Sequence, residues 1–341
     1  MGMKYNMIIA LAGVFTILSC SKEPVQINQN EIKDFPVVEV ECEIDEPSVG
    51  YGTEPNTKVY GVEEDPVNKP GKHTVKWNAG DEISMFSVVD NPGNTGMTRG
   101  TVLNFSHLRS HLHWGNGTKT FTMTIPNLKE LYGASSGLTT MLCCVYPAVT
   151  LSATTELDGS KINLLAVPDP STPLTIPDVQ DGTGWKYSVF IARSSTFSAQ
   201  YNSPSGGGGI KFNLMSVLLR VKLNTTKNIT KVVLSTTADY MVGNVGSIQM
   251  NSFHYAADAY KNITLASGCP GKNVTIENGG VLPNDLYIAI RDLREGGTYT
   301  FTFTAEDGTT TTRSFANPDG YSNRMMRKVL SLGAITLDDW K

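Results

Sequence analysis

The sequence predicts an all-β protein with two β-sandwich domains in tandem. Several runs alternate strictly between apolar and polar residues, and no stretch has the 3.6-residue period of an amphipathic helix. Thr, Ser and Asn are frequent in the second half, and 32 residues are Gly, as expected of a turn-rich β protein. The 341 residues suffice for two cores, and Ser203-Pro204-Ser205 followed by Gly206–Gly209 is the best linker. The predicted domains are therefore residues 35–205 and 206–341.

The N-terminus has the pattern of a bacterial lipoprotein signal. Lys4 precedes the apolar run from Met7 to Leu18, which is too short to span a bilayer of about 30 Å as a helix. The run ends in Ile17-Leu18-Ser19-Cys20, which is similar to a lipobox. We expect residues 1–19 to be a signal peptide, the Cys20 thiol to be acylated, and residues 20–34 to be a polar tether.

The first strand of the mature chain is predicted from a run of perfect alternation. Its polar positions are three glutamates, which is typical of a strand with one buried face. Its apolar positions are Val38, Val40, Cys42 and Ile44.

Further elements of the first domain follow from the same reasoning. Asp45 to Lys72 contains several Pro and Gly residues, so we expect a long loop. Thr139 to Tyr146 is a continuous apolar run, which indicates a central strand. Asp169 to Gly184 is rich in turn residues and is expected to be irregular.

A tight turn is predicted at Trp77-Asn78-Ala79-Gly80-Asp81, between two strands. Gly80 can adopt a positive φ, and Asp81 can accept hydrogen bonds from backbone amides of the turn. Trp77 can cover the end of the core. These roles are structural and not catalytic.

The second domain contains the clearest hairpin. Tyr299, Phe301 and Phe303 alternate with threonines, and Glu306-Asp307-Gly308 turns that strand into the next one. A last short strand is expected over Ala334 to Leu337. The other predicted strands are Ser216 to Leu223, Ile229 to Ser235 and Leu286 to Ile290.

The sequence argues against several classes of function. A formal charge of −4 disfavours nucleic-acid binding. Gly133 to Gly137 matches the GxSxG pattern, but a strand follows it where a nucleophile elbow requires a helix. The histidines of the run 107–113 lack the Glu of a zinc-protease motif. We therefore expect no enzyme activity, no cofactor and no metal.

The cysteines leave one alternative open. Cys143 and Cys144 are adjacent and point to opposite faces of a strand, so at least one is expected to be a buried free thiol. Export permits a disulfide from Cys42 to either of them.

An ordered set of motifs resembles the bacterial fimbrillins, which are type V pilus subunits and related surface lipoproteins. The set begins with Thr57-Lys58 and the segment Val75 to Phe86, which contains Trp77-Asn78-Ala79-Gly80-Asp81. It continues with Tyr146-Pro147, Lys211 to Val221, Asp285 to Ile290 and the strand Tyr299 to Phe303, and it ends with Gly333 to Trp340.

The resemblance implies two transthyretin-like β-sandwich domains in an outer-membrane lipoprotein. It implies that a protease removes the first strand and that a strand of another subunit then fills the exposed groove. The removable strand would be the one with Val38, Val40, Cys42 and Ile44 as its plug. The donor region would contain Ala334, Ile335, Thr336, Leu337 and Trp340.

One departure from the fimbrillin pattern leaves two functions open. The best-known relatives are cut after an arginine, but the first arginine here is Arg99, inside the first domain. Lys58 is the one basic residue placed soon after the first strand. The expected function is a pilus subunit or anchor in adhesion, with other fimbrillin-like subunits and outer-membrane lipid as partners. The alternative is a surface lipoprotein that binds glycan or host protein without polymerising.

Overall fold

A computed structural model gives the fold of the chain. It describes residues 81–104, 137–159, 161–193, 210–238, 241–250, 263–268, 271–293, 297–316 and 329–341. It also places the backbone of short stretches at 25–26, 37–44, 60–65, 69–76, 120–126, 197–198 and 203–204. Within these residues the regular structure is β-strand, apart from the 3-10 helix Trp185–Tyr187, so the predicted all-β class is confirmed.

The strands of the first half have at most eight residues, which is within the usual range of globular proteins. In chain order they are β1 Val25–Gln26, β2 Val37–Ile44, β3 Tyr60–Asp65, β4 Lys69–Lys76, β5 Ser84–Asn91, β6 Val102–Asn104, β7 Thr120–Pro126, β8 Thr139–Tyr146, β9 Leu151–Asp158, β10 Lys161–Pro168, β11 Thr175–Ile176, β12 Val179–Gln180, β13 Phe190–Arg193, β14 Phe197–Ser198 and β15 Ser203–Pro204.

The second half continues the series without a helix in its described residues. Its strands are β16 Ile210–Leu214, β17 Val217–Asn224, β18 Ile229–Thr236, β19 Gly243–Gln249, β20 Ile263–Leu265, β21 Asn273–Ile276, β22 Asp285–Ile290, β23 Thr298–Ala305, β24 Thr310–Ala316 and β25 Val329–Thr336.

The largest sheet has the strand order β1-β6-β5-β8-β13-β16-β2-β7, with β14 and β15 beside β8. Strand β8 is central, since it pairs antiparallel with β5 on one edge and with β13 on the other. All but the first of its residues are buried, and this explains why its sequence is a continuous apolar run rather than an alternating one. The prediction of a central strand over Thr139–Tyr146 is confirmed.

Two further sheets make up most of the second half. One has the order β12-β21-β18-β23-β24, and the other has the order β22-β17-β25. In β23 the aromatic residues Tyr299, Phe301 and Phe303 are buried while the threonines face outward. The predicted hairpin is confirmed: Gly308 has a φ of 82°, and its N–H donates to the Ala305 carbonyl at 2.9 Å.

Sheets and core continue across the boundary predicted between residues 205 and 206. Strand β16 follows that boundary but pairs with β13 and β2 of the large sheet. Strands β10 and β11 precede it and pair with β19. The buried apolar residues of both halves belong to one connected cluster. The division at residue 205, like the tandem transthyretin-like architecture, stays a prediction.

The expectation of one long loop from Asp45 to Lys72 is wrong for part of that segment. Strand β3 and the first residues of β4 lie within it and pair with each other antiparallel. They form a separate two-stranded sheet. Pro70 destabilises this sheet little, because Pro is tolerated on an edge strand.

Candidate functional site

The alternating strand predicted over Val38 to Ile44 occupies an inner position in the large sheet. The sequence-predicted strand is confirmed as β2, which pairs antiparallel with β7 from Val37↔Pro126 to Glu43↔Thr120. Its last three residues also pair in parallel with β16, from Cys42↔Ile210 to Ile44↔Phe212. The side chains of Val38, Val40, Cys42 and Ile44 lie outside the described part, so their role as a plug stays a prediction.

Strand β16 presents an apolar surface to this part of the sheet. Ile210 and Phe212 have no exposed area, and Leu214 is 1% exposed. Strand β13 pairs with one edge of β16, and β2 pairs with the other. Removing β2 would therefore free one backbone edge of a strand whose apolar side chains are buried, and it would separate β7 from the remainder of the described sheet.

The predicted turn residue Asp81 is buried and lies against the end of β8. The Tyr146 hydroxyl donates to Asp81 Oδ1 at 2.9 Å, and both residues are at most 3% exposed. This partner was not predicted, because 65 residues separate the two positions in the sequence. Trp77 and Gly80 lie outside the described residues, and the predicted bonds from the turn's amides to Asp81 stay a prediction.

The predicted donor region is docked within its own chain. Strand β25 pairs in parallel with β17, from Leu218↔Val329 to Asn224↔Thr336. Beyond it, the Leu337 N–H donates to the Asn224 carbonyl at 3.1 Å. Of the predicted donor residues, Leu337 is buried, Ile335 and Trp340 are partly buried, and Ala334 and Thr336 are exposed.

We call residues 337–341 the C-terminal segment, and it lies beside the edge strand β24. Thr310 and Lys341 exchange both backbone hydrogen bonds, at 2.9 and 3.0 Å. Arg313 on β24 donates from Nε to the Thr336 carbonyl at 3.1 Å, and its Nη2 contacts Asp338. The segment thus connects the end of the β22-β17-β25 sheet to the edge of the other sheet.

Lys227 makes a second attachment for the C-terminal segment. Its ammonium lies 5.0 Å from the centre of the Trp340 ring. It also donates to Asp307 Oδ2 and Thr309 Oγ1, each at 2.7 Å. The hydrogen bond from Lys227, followed by those from Thr309, lowers the pKa of the Asp307 carboxyl well below its ordinary value.

A shallow depression lies beside this cation. It has a volume of about 340 Å³ and lies between the β17–β18 loop and the β23–β24 turn. Its polar walls offer carboxylate, amide, hydroxyl and ammonium groups that suit a hydroxyl-rich ligand. The lining residues are Thr226, Lys227, Asn228, Ala305, Glu306 and Asp307.

The opposite side of the two C-terminal sheets is closed by residues 177–187, which we call the crossing segment. It pairs with β21 through β12, and the Tyr287 N–H on β22 donates to the Gly182 carbonyl at 2.7 Å. The buried Gln180 side chain makes the two hydrogen bonds to Ala289 that a neighbouring strand would make. Its amide donates to the Ala289 carbonyl at 2.7 Å and accepts from the Ala289 N–H at 2.9 Å. The sequence predicted only an irregular loop here.

The remaining predicted sites give a mixed result. Cys20 and Lys58 lie outside the described residues, as do His107, His111 and His113. Cys143 and Cys144 are both buried and neither is part of a disulfide, so the predicted buried thiol is confirmed. In the described ranges, no three His, Cys, Asp or Glu side chains are grouped as metal ligands would be. No helix among the same residues has the length and apolarity needed to cross a membrane.

Comparisons with known proteins find matches among solved structures alone. No protein-family model matches the chain, and no curated protein matches it. A structure described as a cell adhesion protein from Bacteroides uniformis is 12% identical, with a TM-score of 0.41, and the match covers 77% of this chain and 89% of that one. A cell adhesion protein from Bacteroides ovatus is 14% identical, with a TM-score of 0.41 and coverage of 82% and 86%. A fimbrial protein from Bacteroides ovatus is 11% identical, with a TM-score of 0.34 and coverage of 79% and 45%.

Proposed function

We propose that this protein is a fimbrillin-like cell-surface lipoprotein that serves as a pilus subunit or anchor in adhesion and assembles by strand exchange. The observation that carries the proposal is the position of β2. Strand β2, which the resemblance to fimbrillins implies is removable, pairs with the edge of β16 at Ile210–Phe212, where both of these apolar side chains are buried.

The binding energy for such an exchange comes from backbone hydrogen bonds and from alternating apolar side chains. An extended segment that replaces β2 would restore the ladder hydrogen bonds to β16 and β7 whatever its sequence. Specificity would come from the apolar residues at alternate positions, which Val38, Val40, Cys42 and Ile44 supply in the intact chain. Burial of each such Val or Ile side chain stabilises the fold by about 1.5–3 kcal/mol, so a groove without β2 gains stability when another apolar strand fills it.

Truncation of the first strand tests this function directly. We compare a chain that begins at Val59 with one that begins at Ser21, using size-exclusion chromatography with light scattering. The truncated chain has an open edge on β16 and is expected to associate, whereas the longer chain is expected to stay monomeric. A peptide spanning Phe35 to Asp45, added in trans, is expected to suppress the association. The control peptide has the same composition with the alternation scrambled. A truncated chain that stays monomeric and melts at the same temperature as the longer chain would refute strand exchange.

A second candidate function is supported by the position of Arg99. Its side chain contacts Asp90 and donates to the Gly159 carbonyl at 3.2 Å, and a cut after it would separate β5 from β6. A chain that keeps its first strand suits an anchor or a stand-alone surface protein that binds glycan or host protein. The depression beside Lys227 is the candidate glycan site. Loss of binding on a glycan array in Asn228→Ala, with the melting temperature unchanged, would support this alternative.

A further inference from the structure

The edge of β24 is where the chain's own C-terminus pairs with a sheet. Thr310 turns both its N–H and its carbonyl away from β23, since both bond to Lys341. Backbone groups in an antiparallel ladder alternate in direction, so Thr312 and Ser314 turn theirs to the same outer side. In the described ranges, no strand pairs with that side of β24 beyond Thr310.

Arg313 holds the C-terminal segment beside this edge through hydrogen bonds and ion pairs. Its guanidinium donates to the Thr336 carbonyl at 3.1 Å and to the outward carbonyl of Thr312 at 2.8 Å. It also forms ion pairs with Asp338 and, at 3.8 Å, with Asp339. One side chain therefore holds the segment and occupies an acceptor that an incoming strand would need.

The uncovered edge suits a second copy of β24. Its side chains at 310, 312, 314 and 316 are Thr, Thr, Ser and Ala, all exposed and neutral. Two copies related by a twofold axis would pair antiparallel, which is the direction that Lys341 already takes on Thr310. Hydroxyl side chains would then oppose hydroxyl side chains across the new ladder, an arrangement that stabilises sheets.

We propose that the C-terminal segment protects the β24 edge from pairing and that Arg313 holds this segment in place. When the segment is released, the β24 edge pairs with β24 of a second copy of this chain. This surface is distinct from the β16 edge invoked for strand exchange. It lies in another sheet, and its Thr310 end is paired with the chain's last residue rather than with the first strand. Edge strands covered in this way are a common defence against unwanted pairing.

The test uses the chain without residues 1–20, which precede the first described strand, so β2 stays in place. The variants are Arg313→Ala and a chain that ends at Thr336. The control is Lys231→Ala, which breaks the exposed 3.3 Å ion pair between Lys231 and Glu277 on another strand of the same sheet. Melting temperatures establish that each variant is folded.

Hydrogen exchange, measured at low protein concentration, tests whether Arg313 holds the C-terminal segment on β24. In Arg313→Ala, the amides of Thr310 and Lys341 are expected to exchange about tenfold faster than in the unaltered chain, because the pairing that protects them opens more often. The control is expected to leave them unchanged. Unaltered exchange at both amides in a folded Arg313→Ala chain would overturn the role of Arg313.

Sedimentation equilibrium, combined with hydrogen exchange at high protein concentration, tests whether the β24 edge pairs with a second copy of the chain. Both variants are expected to form dimers in which the amides of Thr312 and Ser314 become protected, while the control stays monomeric. A folded variant that stays monomeric, or a dimer that leaves those two amides unprotected, would overturn the proposed surface. Association of the chain that begins at Val59 alone, with both of these variants monomeric, would instead belong to the β16 edge and to the strand-exchange function.

Discussion

Replacing Gln180 with Leu is expected to destabilise the fold strongly, although the change keeps the size of the side chain. Gln180 is 1% exposed, and its amide makes hydrogen bonds with Ala289 in both directions and a third, at 3.0 Å, to the Pro177 carbonyl. Leu cannot replace any of them. The Ala289 N–H and carbonyl would then be buried on the outer edge of β22 without these partners.

The size of the destabilisation follows from the two backbone groups of Ala289 that lose their hydrogen-bond partners. Leaving a buried donor or acceptor unsatisfied costs about 1–3 kcal/mol, so two such groups give a loss of about 2–6 kcal/mol in the free energy of unfolding. Leu recovers part of this through its apolar surface, and we expect a net loss of about 2–4 kcal/mol. That is a large fraction of the roughly 5–15 kcal/mol of an ordinary domain.

Urea unfolding followed by circular dichroism measures this loss. The matched control is Gln249→Leu, which changes an exposed glutamine near the end of β19 and is expected to lie within about 0.5 kcal/mol of the unaltered chain. Gln180→Glu is a second variant that keeps the acceptor but removes the donor to Ala289, and it should fall on the unstable side as well. A loss below about 1 kcal/mol in Gln180→Leu would refute the view that this side chain substitutes for a strand.

Four further outcomes are expected. Gly184→Ala should unfold at markedly lower urea than Gly96→Ala, because a Cβ at 184 would lie 2.6 Å from Leu218 Cδ1 whereas one at 96 meets no atom within 4 Å; equal midpoints would contradict this. Tyr146→Phe should cost about 1–3 kcal/mol in the same assay, because it removes the donor to the buried Asp81 carboxylate. The lowered pKa of Asp307 means that its contribution is complete above the ordinary value of 3.8 and is lost as the pH falls below it. The protection factor of the Thr309 amide, which corrects for the slower intrinsic exchange in acid, should therefore fall below that pH, and Asp307→Asn should abolish that dependence. Cys20→Ala should abolish metabolic labelling by a fatty acid, and a variant that is still labelled would exclude acylation at Cys20.

The parts of the fold that were predictable from sequence are those with a local period. Alternation located β2 and β23, and a continuous apolar run located β8. Local turn chemistry located the hairpin at Gly308. The hairpin of β9 and β10 was missed although its signal is present, since Asp158-Gly159 lies between two strand-like runs and Gly159 has a φ of 56°.

The crossing segment was not predictable, for a physical reason. Strand β12 has two residues, which is too short to show any period. Its partners are far away in the sequence, as the 109 residues between Gln180 and Ala289 show. A buried glutamine that pairs with a backbone amide has no local pattern, because its partner is fixed by the packing of two sheets.

The two described edges of the C-terminal sheets are held by different kinds of contact. On one side of the C-terminal sheets, the crossing segment is held by buried bonds, with Gln180 1% exposed and Gly184 too close to the Tyr287 backbone to accept a Cβ. On the other side, the C-terminal segment is held mostly by exposed groups, since Asp338 and Asp339 are 67% and 81% exposed beside Arg313. Exposed ion pairs contribute little to stability and weaken with salt, whereas buried backbone bonds open only with the fold. We therefore expect the C-terminal segment to open while the sheets stay folded, and raising the salt concentration should loosen it before the crossing segment.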